Sequence, residues 1–172
     1  NKKLKLTTIG KNYGNIKIFD INDYTPGKAL NLGIQKSTNE ICLIISAHCV
    51  LKKINITKHI SDLKKYDSIF GKQIPHWNGR RILSRYIWSH FEEEEIENMY
   101  SKQEERYFLH NAISIYNRAA LIDEPFDNNL QHKEDRYWAN TVIPKGKKVL
   151  YDPSLLVEHH YTINGNTWKG LA

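Results

Sequence analysis

The stretch Ile41-Cys42-Leu43-Ile44-Ile45-Ser46-Ala47-His48-Cys49 decides the fold. Five apolar residues, three of them isoleucine, run to a small pair and a histidine. A short apolar run bounded by polar residues predicts a buried parallel strand. Its tip delivers Ser46, Ala47 and His48 to the end of a sheet, where ligands of open α/β sheets bind.

Outward from that strand, helix and strand signals alternate, which predicts an α/β architecture. Ile16-Lys17-Ile18-Phe19-Asp20-Ile21 alternates and reads as a strand. Thr25-Pro26-Gly27 opens a helix, since proline suits a first helical turn. Leu30, Gly33 and Ile34 share one face of that helix. Residues 55–66 read as an amphipathic helix capped by Asn55, with Ile56, Ile60 and Leu63 inward. Residues 67–71 read as a strand. Trp77 to Arg106 reads as a flap-like segment, with Glu92-Glu93-Glu94-Glu95 as a solvated helix face. Phe108–Tyr116 reads as a strand, followed by a short helix at Arg118–Ile122. Glu134–Ile143 reads as a helix with Trp138 and Val142 inward, ended by Pro144 and Gly146. Lys148–Tyr151 and Leu155–Val157 read as two final strands.

The 172 residues suit one domain with a substantial core. No apolar run approaches the ~20 residues that span a bilayer, and no secretory signal pattern opens the chain. Cys42 and Cys49 fall in and just after one predicted strand, roughly 23 Å apart along extended chain. That is beyond disulfide reach, so a reduced, cytoplasmic setting is expected. The formal net charge of +6 suits an anionic membrane surface or a diphosphate. Its basic residues are scattered rather than clustered, so no nucleic-acid partner is expected.

Three clusters could carry chemistry. His48 at a strand end is a metal ligand or base, or else an inert histidine in a turn. Glu134-Asp135 opens a helix, where acids favour the macrodipole, or where one takes a proton from a hydroxyl. His159-His160 follows an apolar strand. Adjacent strand residues face opposite ways, so at most one of this pair faces a given site. A softer cluster, His110-Asn111-Ala112-Ile113-Ser114, lines a pocket or is an edge strand.

In order and spacing, these clusters resemble the family 2 glycosyltransferases, which have the GT-A fold. Gly27-Lys28-Ala29-Leu30-Asn31-Leu32-Gly33-Ile34 resembles the family's "G-x-A-x-N-x-G-I" helix. Glu40 to His48 resembles its next strand and metal motif. Gly71-Lys72-Gln73-Ile74-Pro75 resembles a "G-R-Q-x-P" stretch. Asn111-Ala112-Ile113-Ser114 with Arg118 resembles the acceptor-side strand and helix. Phe126-Asp127 with Glu134-Asp135 resembles "F-D … E-D", and Val157-Glu158-His159-His160 the closing strand.

The resemblance implies a GT-A-like mixed sheet flanked by helices, with residues 1–172 forming a single domain that lacks the family's first, nucleotide-binding strands. It implies inverting transfer of a sugar from a nucleotide-diphosphate donor to a saccharide or lipid-linked acceptor. The setting would be bacterial surface polysaccharide synthesis, in the cytoplasm at the inner membrane face. Asp135 would be the general base, with Glu134 orienting it or binding an acceptor hydroxyl. His48, with His159 or His160, would hold a divalent cation, Mn²⁺ or Mg²⁺. Lys28, Asn31, Ser46, Ala47, Arg81, Asn111 and Ser114 would contact donor or acceptor. The family's Asp-x-Asp is Ser46-Ala47-His48 here. Polypeptide N-acetylgalactosaminyltransferases carry a related Asp-x-His, and imidazole suits Mn²⁺ better than Mg²⁺. A non-catalytic, degenerate transferase-like domain is the alternative.

Overall fold

The computed structural model describes residues 15–82, 91–102 and 104–161 of the chain. Helix α1 (Pro26–Lys36) starts where the Thr25 hydroxyl accepts the Lys28 amide at 3.2 Å. It leads into β1 (Ile41–Ile45) and β2 (Cys49–Lys53), then α2 (Ile56–Asp62), capped by Asn55 as expected. Next come β3 (Ser68–Trp77), β4 (Arg80–Arg81), β5 (Ile96–Glu97), β6 (Tyr100–Ser101) and β7 (Arg106–Tyr107). Strand β8 (Ile113–Asn117), helices α3 (Arg118–Asp123) and α4 (Glu134–Val142), and β9 (Val149–Tyr161) complete the order.

The main sheet runs β1-β8-β3-β9-β2, with β4 on β3 and β5 on β9. Among the described strands only β3 and β9 pair in parallel, and they occupy the middle. Adjacent residues on the strands feed opposite faces. Ile69, Ile115 and Leu150 join one core with Leu63 and Val157. Phe70, Tyr116 and Tyr151 join the other with Ile34, Phe126, Trp138 and Val142. Both faces are therefore covered, as a parallel pair demands.

Several expectations are corrected. Strand β1 is antiparallel to β8 and lies at the edge of the described sheet, with Leu43 and Ile45 exposed. An apolar run states that a strand is greasy, not what covers its outer edge. The chain turns at residues 46–48, so Cys42 and Cys49 lie on opposite edge strands, and both are free thiols. Ile16–Ile21 forms no strand, and Ile16, Ile18 and Phe19 are exposed. The buried face of α2 is rotated: Leu63 is buried as expected and His59 joins it, while Ile56 and Ile60 are exposed, Ile56 at 62%. The cause is a buried acid. Asp152 accepts from Lys58 Nζ at 2.7 Å and lies 3.0 Å from His59 Nε2, docking α2 on β9. Burial alone would raise Asp152, yet its His59, Lys58 and Ser154 hydrogen bonds hold it well below the usual carboxylate range. Glu92–Glu95 is irregular rather than helical, with Glu93 paired to Lys72 and Glu95 to Lys58. Residues 83–90 and 103 of the expected flap lie outside the described residues. The Phe108–Tyr116 ladder starts only at Ile113, because Phe108 and Leu109 fill the core instead.

The two final strands are one. Strand β9 crosses Pro153 at a bulge, where the register moves from Gly71↔Asp152 to Lys72↔Leu156. Gly71 makes that bulge fit: a Cβ there would lie 2.2 Å from the Leu155 carbonyl oxygen and 2.8 Å from Ile113 Cγ2. Gly71→Ala is expected to lower stability by about 1–3 kcal/mol in urea unfolding. Gly33→Ala is the contrast, since no described atom lies within 4 Å of its Cβ position. It should raise stability by about 0.5–1 kcal/mol. Equal shifts for the two substitutions would contradict the packing at Gly71.

Candidate functional site

The site forms at the sheet end where β1 finishes and β9 approaches its own end. Ser46 is stitched to the segment before β8: its amide donates to the Ala112 carbonyl at 3.2 Å, its hydroxyl to the Asn111 carbonyl at 2.9 Å. The chain then turns. The His48 carbonyl accepts the His160 amide at 2.9 Å, and Cys49 pairs in register with His159. Directly opposed residues of an antiparallel ladder project to the same face. His48, Cys49 and His159 therefore converge, with one ligand-type atom from each lying within 4.8 Å of the others.

His159 is 1% exposed. Its Nδ1 is hydrogen-bonded to the Gln73 amide oxygen, its ring stacks on Tyr161, and its Nε2 has no hydrogen-bond partner. The rings of His48 and His110 lie 4.6 and 5.7 Å away. His110 continues the cluster toward the acids, its Nδ1 3.9 Å from Asp135 Oδ2.

The acidic pair sits on the first turn of α4. Asp135 is 4% exposed. Its Oδ2 accepts the Asn111 amide and its Oδ1 the Arg136 amide, both at 2.8 Å. Each oxygen keeps acceptor capacity for a further hydrogen. Arg136 is itself buried, between Asp135 at 3.7 Å and Glu104 at 3.2 Å. Asn111 orders the layer below, its Oδ1 accepting Ser114 Oγ at 2.6 Å and Tyr116 Oη at 2.7 Å.

Burial governs the protonation states. It pushes His159 down to about 2, helped by His110, His48 and His160. His48 is lowered by burial and by His160. His110 falls well below its ordinary value through burial, Arg136 and His48. These imidazoles are neutral at pH 7; His110 Nδ1 uses its lone pair to accept the Ala112 amide at 3.0 Å, whereas His159 Nε2 meets no hydrogen-bond partner. Burial raises Cys49 to about 12 and, with the Asp135 charge, Glu134 to about 7.

The remaining sequence-predicted residues divide. His160 faces away from the cluster, its ring tilted against His76 at 4.8 Å and its Nε2 3.8 Å from Glu158. Only one of the histidine pair faces inward, as strand alternation requires. Arg81 is exposed on β4, pairing in register with His76 at the same sheet end. Ala47 is exposed in the turn. Asn31 spends its side chain on Phe126 and Asn128, and Lys28 donates to the Asp23 carbonyl. Asn31 thus splints α1 to the segment before α4. Sequence reasoning gave Cys49 and Gln73 no role and offered His110 only within a cluster that lines a pocket or forms an edge strand. Each lies in or beside a motif, and only the folded register points it inward.

Mg²⁺ does not fit this cluster, which offers nitrogen and sulfur but no carboxylate oxygen. A softer divalent ion fits better.

No family model matches the chain, and no curated protein matches it. Solved structures do. The chain is similar to S. aureus TarS 1–349 in complex with UDP-GlcNAc, at TM-score 0.67 and 17% identity, covering 96% of this chain and 48% of that one. It is also similar to GalNAc-T7 with UDP, GalNAc and Mn²⁺, at TM-score 0.66 and 16% identity, covering 95% and 36%. The fold is GT-A. The chain spans about half the length of the TarS structure it matches and about a third of GalNAc-T7.

Glu134 supplies a pH test. The unfolded chain releases its proton near 4.5, the folded protein near 7. Between those values the folded state holds the extra proton, so Glu134 ionisation costs stability as pH rises through the window. Glu134→Gln should therefore gain stability relative to the unmodified protein between pH 4.5 and 7, and plateau above. A pH-independent difference in unfolding midpoint would refute the burial.

Proposed function

We propose that the chain moves a sugar from a nucleotide-diphosphate donor to a hydroxyl acceptor, with inversion. One observation carries this reading: the buried Asp135 carboxylate and the His48–His159 pair occupy the same end of a GT-A sheet, with the His110 ring between them. The similar structures were determined with UDP-GlcNAc in one case and with UDP, GalNAc and Mn²⁺ in the other, which supports a nucleotide-sugar donor.

Asp135 accepts the proton of the attacking acceptor hydroxyl. The new bond forms between that oxygen and the anomeric carbon. The bond from the anomeric carbon to the diphosphate oxygen breaks, and its electron pair leaves with the diphosphate. Asn111 and Arg136 hold Asp135 through their backbone amides, fixing its direction of attack. Glu134, half-protonated near pH 7, can donate a hydrogen bond to an acceptor oxygen. Arg81 and the net charge of +6 favour an anionic donor. A divalent cation at His48 and His159 would neutralise charge on the departing diphosphate.

The wider setting belongs to the same proposal: a single-domain unit at the inner face of a bacterial membrane, acting on saccharide or lipid-linked acceptors. Among the described residues no helix is long and apolar enough to cross a membrane. A non-catalytic transferase-like domain is favoured by one observation. Ser46 stands where the resemblance places a carboxylate, and its hydroxyl is committed to the Asn111 carbonyl.

Asp135→Asn decides between them. The transferase reading expects transfer from a panel of UDP-sugars to fall by about 10²–10⁴-fold, with UDP binding by calorimetry unchanged. No turnover of any nucleotide sugar by the unmodified chain, with or without added cations, would sink the enzyme reading.

A further inference from the structure

The cation site has a chemical identity of its own. Two of its donors, Cys49 and His159, are register partners across the β2–β9 ladder. The third, His48, is held by the backbone bond from His160 to its own carbonyl. The three donor atoms already lie within 4.8 Å of one another. They need little movement to close on one ion.

His159 is arranged as a ligand. Its Nδ1 donates to Gln73 Oε1, which leaves the lone pair on Nε2. That Nε2 is buried and meets no hydrogen-bond partner. A buried polar atom without a partner carries a desolvation penalty, which a metal bond removes. Gln73 lies on β3, two strands from Cys49, so the orienting bond depends on the sheet's central ladder.

The donor set is two imidazole nitrogens and one sulfur. Thiolate and imidazole select zinc, whereas magnesium and manganese favour carboxylate, carbonyl and water oxygens. Ser46 brings the motif a neutral hydroxyl rather than a carboxylate, and its hydrogen is aimed at the Asn111 carbonyl. Three protein ligands leave a fourth tetrahedral position for an exogenous oxygen, the arrangement of catalytic zinc.

We propose that His48, Cys49 and His159 form a nitrogen–sulfur centre that takes zinc in preference to manganese or magnesium. The proposal deepens the transferase reading and rests on it only for the use to which the ion is put. On binding, the Cys49 S–H bond breaks, a sulfur–zinc bond forms and the proton leaves to solvent.

The test uses the full chain and cobalt as a spectroscopic stand-in for zinc. Cobalt should bind once per chain and give a thiolate-to-cobalt charge-transfer band, which zinc displaces and excess manganese or magnesium does not. Cys49→Ser should abolish that band, whereas Cys42→Ser, on the far edge of the sheet, should leave it intact. Gln73→Ala, which removes only the orienting bond, should weaken zinc by about 10- to 100-fold. Circular dichroism confirms that each variant is folded; should Cys49→Ser fail to fold, the Gln73→Ala affinity and the zinc–manganese competition decide alone. Displacement of cobalt by manganese as readily as by zinc, or an unchanged band in Cys49→Ser, overturns the proposal. Donor turnover is scored separately. Transfer supported by manganese without zinc binding removes this centre and leaves the transferase; zinc binding without any transfer does the reverse.

Discussion

The parallel ladder between β3 and β9 is the constraint on which the rest depends. Every residue of β3 from Ser68 to Trp77 has a partner on β9. Parallel strands must be covered on both faces, and here the two cores and the flanking helices do so. The bulge at Gly71 shifts the register within this ladder. It thereby sets which residues of the second half of β9 face inward. A one-residue slip would turn His159 out and His160 in. It would also separate His159 from Gln73, which reaches it diagonally across the ladder.

The same ladder organises the buried polar groups. Asp152 sits at the bulge and draws His59 and Lys58 onto one end of the sheet. At the other, His159 sits under His48 and beside His110. These two sites handle burial differently. Asp152 remains charged because three hydrogen bonds repay its desolvation. The histidine cluster avoids the cost by staying neutral, which leaves nitrogen lone pairs at its centre. Groups held away from their ordinary protonation behaviour, at a strand end and beside a buried carboxylate, are a pattern that marks chemical sites.

Much of the fold was legible. Pro26, suited to a first helical turn, and Asn55, a capping side chain, announce helix starts through local chemistry that needs no tertiary partner. The apolar run at Ile41 announces a strand, and Glu134–Val142 a helix with Trp138 inward. What failed shares one cause. Ile16–Ile21 alternates, but alternation creates a strand only where a partner supplies the ladder. Ile56 and Ile60 share a helical face, yet the pull of Asp152 on His59 turned that face to solvent. Apolar periodicity is a sum of modest terms, and one buried charged contact overrode it.

By itself the sequence determined the strand at Ile41, the helices that start near Pro26, Asn55 and Glu134, and a set of candidates for chemistry that includes His48, Asp135 and one of His159 and His160. Those follow from side-chain chemistry and local backbone preference, which act over a few positions. Only the tertiary structure decided which histidine faces inward, that Cys49 and Gln73 join it, and that His110 lies between it and Asp135. Strand register and the Gly71 bulge set those choices. They depend on contacts between residues far apart in the chain, such as the hydrogen bond between Gln73 and His159 across 86 positions, and no local pattern encodes that distance.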